Sequence, residues 1–394
     1  MTPPDTSPAP TPAMASVARY LATFYLGYFG LLGVLLPYLS LYFLDIGLTP
    51  YEIGVIMAVN PLVKIVAPSL WGWLADRRGA RAALIRQACG GALVAFAAML
   101  LVRDFWLIVA VMVVYSVFTS SILPLVEATA MEAADTGSLD YGRVRLWGSV
   151  GFIVLSLGMG PVLDVLPSVV VLWTIIGLLV FNLWSVRHLP DSRVEAHGGS
   201  RSLKPLLRPQ VVAFYLVCTL MQASHGMFYG FYSVYLEGLG FARGTIGLLW
   251  AVGVMAEVMA LRHSSGMLTR FGTVSLMRLA LMLAVVRWGI LSSTAAVVWL
   301  VTAQLLHSGS FGLFHAAAVT HTHRLIPTGL RTIGQSLYSS LSYGFGLTLG
   351  LYLCGTYYEQ VGAPFLFGAC ALVALCAMGL SVLLKKTVSE IPSA

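Results

Sequence analysis

Charged residues are scarce in this sequence. They make up 10% of its 394 residues, against about 25% in an average soluble domain, while 58% of the residues are hydrophobic. So few charges could not hydrate a soluble surface, which argues against a soluble enzyme, a nucleic-acid-binding module and a disordered protein. An outer-membrane barrel would alternate polar and apolar residues, whereas the apolar runs here are continuous. A helical membrane protein remains.

Sequence motifs for catalysis and metal binding are also lacking. There is no Walker lysine loop to bind ATP, no metal-ligand spacing and no set of residues that makes a catalytic triad. The cysteines all lie in apolar runs and are interpreted as packing residues: Cys89, Cys218, Cys354, Cys370 and Cys376. We therefore expect no enzymatic activity, no cofactor and no metal.

Twelve runs are long enough to cross a bilayer, which takes about 20 helical residues. They cover residues 17–43, 53–75, 82–102, 105–133, 144–166, 168–187, 211–236, 246–263, 273–292, 295–323, 333–357 and 363–384. The pattern predicts an all-α membrane protein with twelve transmembrane helices in two six-helix bundles.

The polar segments predict how the bundles are separated. The first bundle is expected at 16–187 and the second at 211–388, with a cytoplasmic linker at 188–210. Residues 1–15 are rich in Pro, Thr and Ser and are predicted to be a disordered cytoplasmic tail.

Lys and Arg residues predict the orientation. All but five of the 23 lie on one side of the predicted spans; Arg103 and Arg243 lie on the other side, and Lys64, Arg145 and Arg287 lie inside helices. Because basic loops stay in the cytoplasm, both termini are predicted to be cytoplasmic in a bacterial inner membrane. The net charge of +7 is thus interpreted as a topology signal, and no nucleic-acid partner is expected.

The loop between helices 2 and 3 carries the pattern Gly72, Asp76, Arg77, Gly79 and Arg81. It resembles the signature loop of the major facilitator superfamily, in which glycines let two helices approach and the aspartate meets a helix N-terminus and an arginine. The resemblance implies a secondary transporter that works by alternating access, with this loop involved in gating.

Four further stretches narrow the resemblance. The segment 140–152 resembles the start of helix 5 in oligosaccharide and nucleoside proton symporters. The segments 249–257, 307–315 and 334–338 resemble 3-phenylpropionate transporter-like permeases. This resemblance implies proton-coupled uptake of a small organic anion, an aromatic carboxylate such as 3-phenylpropionate.

The better-understood lactose permease is also similar at several charged positions. Glu127 and Arg145 stand where its sugar-binding pair stands, and Arg287 and His307 match its helix 9 arginine and helix 10 histidine. The chain departs from it at Ser310, where that relative has a proton-carrying glutamate.

Lys64 is the most informative charge on physical grounds. It precedes Asp76 by twelve residues, or about 18 Å of helix, which places it near mid-membrane. A charge at that depth costs roughly 2.5–3.5 kcal/mol and usually faces a functional cavity. Lys64 is therefore predicted to bind substrate, or else to pair with helix 11 or with a carbonyl freed near Pro61.

The other mid-membrane charges have predicted partners. Glu127 and Arg145 can form a bidentate pair that binds substrate or locks helix 4 to helix 5. Arg287 is expected to pair with Glu257. With Lys64 included, the sum of these charges is +1, which favours an anionic substrate over a neutral sugar.

Aromatic residues cluster on helices 1 and 7. Among them Tyr28, Tyr229 and Tyr232 are predicted to line the substrate site, since tyrosines offer flat apolar surface together with a hydroxyl. About half of the cluster is expected to be packing or interface residues.

Proton coupling is predicted to use Glu257 and His307, with Arg287 as partner and with His225 and His315 as alternatives. In this hypothesis an ionised Glu257 holds Arg287, and a protonated Glu257 releases it. The expected partners are a small anionic substrate, a proton and membrane lipid, with the protein acting as a monomer.

Other functions stay open at this point. A symporter of a nucleoside, an oligosaccharide or a siderophore is compatible with the pair of Glu127 and Arg145. A drug–proton antiporter is less favoured, because exporters of cationic drugs use acidic pockets. A further alternative is a receptor or assembly factor with a transporter fold, which would carry no substrate across the membrane in a flux assay.

Overall fold

The structure is a computed structural model that describes residues 12–78, 80–135, 139–189 and 203–384. Every regular element in these ranges is a helix. Most of the predicted tail and linker lies outside them, together with Gly79 and the side chain of Asp76. The predicted boundaries of the tail, bundles and linker therefore stay predictions.

The first six membrane helices are named α1 to α6. They are α1 (Pro12–Asp45), α2 (Pro50–Val63, then Ala67–Arg78), α3 (Arg81–Ala97), α4 (Phe105–Asp135), α5 (Tyr141–Leu163) and α6 (Val169–Val186). The predicted spans agree with these bounds to within a few residues, except that α1 begins earlier and α2 is broken in two.

The second six are α7 to α12. They are α7 (Pro209–Ala223, then Gly226–Gly238), α8 (Arg243–Phe271), α9 (Thr273–Ser293), α10 (Val297–His307, a π-helical turn over Ser308–Leu313, then Phe314–Leu325) and α11, which begins as Arg331–Tyr338 and a π-helical stretch over Ser339–Gly346. The following segment, Leu347–Leu380, contains the end of α11 and all of α12.

Gly362 separates α11 from α12. The described residues contain 11 helical stretches apolar enough to cross a membrane, and the last, Thr328–Leu383, has 56 residues. One crossing needs only about 20 residues. Gly362 has φ 76° and ψ 161°, an extended conformation with positive φ that is essentially restricted to glycine and that interrupts the helix. This stretch therefore crosses twice, and the predicted twelve spans are confirmed.

The break in α2 places Lys64. Pro61 lies inside the first segment, which ends at Val63, and the backbone N–H of Lys64 donates to the carbonyls of Asn60 and Leu62. The chain then turns before the second segment begins at Ala67. Lys64 therefore lies at the break and not on a regular helix surface.

The two halves of the chain contact each other along α2 with α11, along α5 with α8 and along α1 with α7. At the first contact a Cβ atom on Gly54 would lie 2.8 Å from the Cα of Gly355, so only glycine permits this backbone approach. Two bundles packed around a central space follow from these contacts.

One end of this central space is closed. We call it the far side; it holds the α1–α2 and α7–α8 connections, and the near side is the opposite end, where α1 begins. On the far side Arg243 contacts Asp45 at 2.8 Å and Glu237 at 2.6 Å. The Asp164 carboxylate also accepts the backbone N–H groups of Arg243 and Gly244 at 2.8 and 3.1 Å. These bonds join α1 and α5 to α7 and α8, so the cavity opens to the near side.

Candidate functional site

Three adjoining chambers form the cavity. The main chamber, about 530 Å³, is lined by α1, α5, α7, α8 and α10. The apolar chamber, about 240 Å³, lies among α1, α2, α4, α7, α10 and α11, and shares Tyr229 and Phe311 with the main chamber. The vestibule, about 700 Å³ at the near side, shares Tyr28, Lys64 and Tyr343 with the apolar chamber. The shared walls make one route from the near side to mid-membrane.

Lys64 lines both the apolar chamber and the vestibule, and its side chain is exposed there. Within the described ranges its side chain makes no ion pair or hydrogen bond, so the alternative of a structural pair with helix 11 finds no support. A cation without a protein counter-charge in an apolar cavity is costly unless a ligand supplies the charge.

Glu127 and Arg145 meet as predicted, but not as a bidentate pair. Arg145 Nε lies 3.4 Å from Glu127 Oε1, while the Tyr141 hydroxyl donates to Oε2 at 2.6 Å. The tyrosine therefore occupies the oxygen that a second arginine nitrogen would need. The Arg145 guanidinium carbon lies 3.9 Å from the centre of the Phe29 ring, and Arg145 lines the main chamber. The pair remains partly accessible, at 32% for Arg145 and 27% for Glu127.

Arg287 does not pair directly with Glu257, which corrects the predicted contact. His307 lies between them: Arg287 Nη1 is 2.9 Å from His307 Nδ1, and His307 Nε2 is 3.8 Å from Glu257 Oε2. Arg287 is fully buried, donates to the carbonyl of Ala303 at 2.9 Å, and lies against Phe228. The three groups form a chain that ends at Glu257 in the wall of the main chamber.

The hydrogen bond from Arg287 determines the proton position on His307. A guanidinium group can only donate, so Nδ1 accepts and the single ring proton is on Nε2, towards Glu257. A second ring proton on Nδ1 would make His307 a cation and would set two donors, Nδ1–H and the Arg287 Nη1–H, against each other beside the buried charge of Arg287. His307 is therefore held neutral here, with its Nε2–H group on the side of Glu257.

The other predicted histidines differ in position. His315 lines the main chamber, with Nδ1 2.9 Å from the Tyr343 hydroxyl and 3.2 Å from that of Tyr338. His225 is fully buried, with Nδ1 2.8 Å from the Met221 carbonyl, and is not in the walls of the three chambers. His315 is thus accessible from the cavity, whereas His225 is buried behind the cavity wall.

The predicted tyrosines are divided in the same way. Tyr28 lines the apolar chamber and the vestibule, and Tyr229 lines the main and apolar chambers. Tyr232 is fully buried against Phe228 and Trp250 and lines none of the three, because it lies one turn beyond Phe228 along α7, towards the closed far side. Its predicted direct contact with substrate does not fit this conformation.

The signature loop is described in part. Arg81 forms an ion pair of 2.9 Å with Glu132, which joins α3 to α4 at the near side. Arg77 stacks 4.0 Å from the centre of the Trp73 ring. Among the described residues, no atom of another helix lies within 4 Å of a Cβ built on Gly72, so the predicted close helix approach is not made there in this conformation.

The far-side ion pairs were not predicted as a functional group. Arg243 was noted only as a basic residue on the far side. A signal was available, since Asp45, Asp164 and Glu237 all occur at or near the far-side ends of apolar runs. Which of these carboxylates meets Arg243 depends on how the two bundles pack.

Twelve membrane helices around a central cavity that is open at one end define a membrane transporter. Residues 18–369 match the MFS_1 like family, and the chain belongs to it. This confirms the major facilitator resemblance.

Relatives in sequence and in solved structure agree with this assignment. The chain is 30% identical to the "Probable 3-phenylpropionic acid transporter" of Escherichia coli (strain K12), and the alignment covers 91% of this chain and 96% of that relative. It is 27% identical to the maltose permease of Geobacillus stearothermophilus, and the alignment covers 93% of this chain and 95% of that relative. The crystal structure of the nucleoside transporter NupG has the same fold, with a TM-score of 0.79, 16% identity, and 94% and 99% of the two chains covered. The protein is therefore a multi-pass membrane transporter of a small molecule and not an enzyme.

Proposed function

We propose that this transporter takes up a small organic anion together with protons, by alternating access. The substrate class is an aromatic carboxylate such as 3-phenylpropionate, the compound named for the Escherichia coli relative. The protein acts as a monomer surrounded by lipid in a bacterial inner membrane. The segments 16–187 and 211–388 are the bundles that rock about the site.

The observation that carries this proposal is the position of Lys64. Lys64 lines both the vestibule and the apolar chamber, and the walls of the apolar chamber include Met57, Met112 and Tyr115. A carboxylate at Lys64 would restore neutrality, and its apolar body would fill a chamber of about 240 Å³. A small amphipathic anion satisfies both parts of this site.

Glu257 is the proposed proton carrier, with His307 as its positioning partner. When Glu257 is ionised, its carboxylate faces the Nε2–H group of His307 at 3.8 Å, and through His307 it compensates the charge of Arg287. When Glu257 is protonated this compensation is lost, so the group of Arg287, His307 and Glu257 has two states that differ in charge. The earlier hypothesis of direct capture of Arg287 is replaced by this bridged arrangement.

A second candidate substrate class is a hydroxyl-rich solute, such as a nucleoside, an oligosaccharide or a siderophore. Glu127, Tyr141 and Arg145 offer acceptors and donors at the main chamber, and Arg145 is already partly neutralised there. Export of cationic drugs is disfavoured by the charge on Lys64, which has no counter-charge among the residues that the structure describes.

A thermal-shift screen tests the substrate class. The purified protein is heated with 3-phenylpropionate, benzoate, uridine, maltose or buffer, each at the same ionic strength. A ligand at a hundred times its Kd stabilises the native state by about 2.7 kcal/mol. We expect the aromatic acids to raise the Tm and the neutral solutes to leave it unchanged. A shift with uridine or maltose alone would favour the second candidate.

The orientation has its own test. The near side, where α1 begins and α12 ends, is proposed to be cytoplasmic because of its Lys and Arg residues. Alkaline phosphatase fused after Lys386 should be inactive and green fluorescent protein at the same site should fluoresce. The opposite pair of results would reverse the proposed orientation.

A further inference from the structure

The vestibule has an unusual charge distribution. Its walls carry three groups that are cationic or can become so: Lys64, His323 and Arg331. No Asp or Glu is among the described residues that line it. Ser69, Ser336 and Ser339 line the same space, and a serine hydroxyl can donate to a carboxylate.

Arg331 stands in an electrostatically unfavourable place on its own helix. It is the first residue of α11, whose first turn contains no acidic residue. A helix N-terminus carries partial positive charge, so a cation there costs local stability. Within the described part of the chain its side chain makes no ion pair, and it is exposed at the near-side mouth.

We infer that Arg331 forms a second anion-binding site in the vestibule, distinct from the site at Lys64. It attracts the substrate carboxylate at the near side and passes it to or from Lys64, which borders the same space. The dipole of α11 adds to the positive potential, and the low dielectric of the surrounding helices focuses it. This inference rests on the proposed anionic substrate, and it adds a near-side binding site to the path of that substrate.

The competing explanation is that Arg331 only sets the topology, as basic residues near helix ends do. Arg262 provides the matched control. It lies on α8, is exposed, has no partner within the described residues and lines none of the three chambers. Arg331→Gln and Arg262→Gln remove the same charge, but only the first change alters the vestibule.

A substrate-independent experiment measures the potential directly. Ser336→Cys places a thiol in the vestibule, and the same protein without this change gives the background from the native cysteines, of which only Cys376 is exposed. The rates of modification by an anionic sulfonate and a cationic trimethylammonium methanethiosulfonate are compared. Adding Arg331→Gln should lower the ratio of anionic to cationic rates by about fivefold, as expected for one nearby charge in a partly hydrated cavity. Adding Arg262→Gln should leave the ratio unchanged.

Transport kinetics supply the second measurement. For 3-phenylpropionate, Arg331→Gln should raise the KM at the near side several-fold in inverted vesicles and leave the KM at the far side unchanged in whole cells. An unchanged thiol ratio in Arg331→Gln, or an equal fall in Arg262→Gln, overturns the vestibule site. A lowered thiol ratio in a protein that does not transport 3-phenylpropionate keeps the vestibule site and rejects the proposed substrate.

Discussion

Lys64→Ala is expected to abolish measurable uptake of 3-phenylpropionate while the protein remains in the membrane. A bound carboxylate that covers Lys64 takes the charge pair out of water. Removing one partner of such a desolvated pair costs about 2–5 kcal/mol, which is a loss of affinity of about thirtyfold to several thousandfold. Radiolabelled uptake by cells with matched protein levels provides the measurement. Lys64→Arg keeps the charge and should retain part of the uptake.

Stability separates this role from a structural one. Because Lys64 has no partner in the described structure, Lys64→Ala should leave the Tm of the ligand-free protein unchanged or raise it. Arg145→Ala should also abolish uptake, but it leaves Glu127 with only Tyr141 and should lower the Tm. Normal transport in Lys64→Ala would remove the central support for an anionic substrate.

Glu257→Gln is expected to block proton-driven accumulation and to preserve substrate exchange. Glutamine resembles a protonated glutamate that cannot lose its proton, and exchange across the membrane requires no deprotonation. Accumulation is measured with an imposed pH gradient in proteoliposomes, and exchange with labelled substrate at equal concentrations on both sides. In de-energised cells the wild type should alkalinise the medium on addition of substrate, and Glu257→Gln should not.

His307 provides the matched comparison. His307→Gln can accept from Arg287 and donate towards Glu257, so it should keep most of the accumulation. His307→Ala breaks the bridge between the two and should weaken accumulation, but less than Glu257→Gln does. If Glu257→Gln accumulates substrate as the wild type does, the bridge is not the proton site, and His315 becomes the better candidate because it lines the cavity.

Neighbouring positions along the chain were the most predictable part of the site. Glu127 and Arg145 lie near one short connection between antiparallel helices, so their meeting follows from topology alone. The sequence could not show that Tyr141 takes one of the carboxylate oxygens. That detail depends on side-chain directions at the start of α5.

The bridge through His307 was not predictable in the same way. Arg287, His307 and Glu257 belong to three different helices, and their order in space depends on how α8, α9 and α10 pack. Sequence spacing gave each residue a depth in the membrane, but depth alone cannot tell whether a histidine lies between two charges or beside them. The position of Lys64, whose side chain has no partner among the described residues, likewise depends on the break in α2 and on the packing of α11.

The sequence by itself determined the membrane class, the twelve spans and the family, because hydrophobicity and loop charge are read along the chain. Only the tertiary structure decided which face of each helix meets the cavity. A membrane helix is apolar towards both lipid and protein, so its sequence carries little periodicity to report its rotation. Helix packing also decided that Tyr28 and Tyr229 reach the cavity, whereas Tyr232, one turn further along α7, is covered by Phe228 and Trp250. Arg243 and Arg331 likewise acquired their surroundings only when the helices packed.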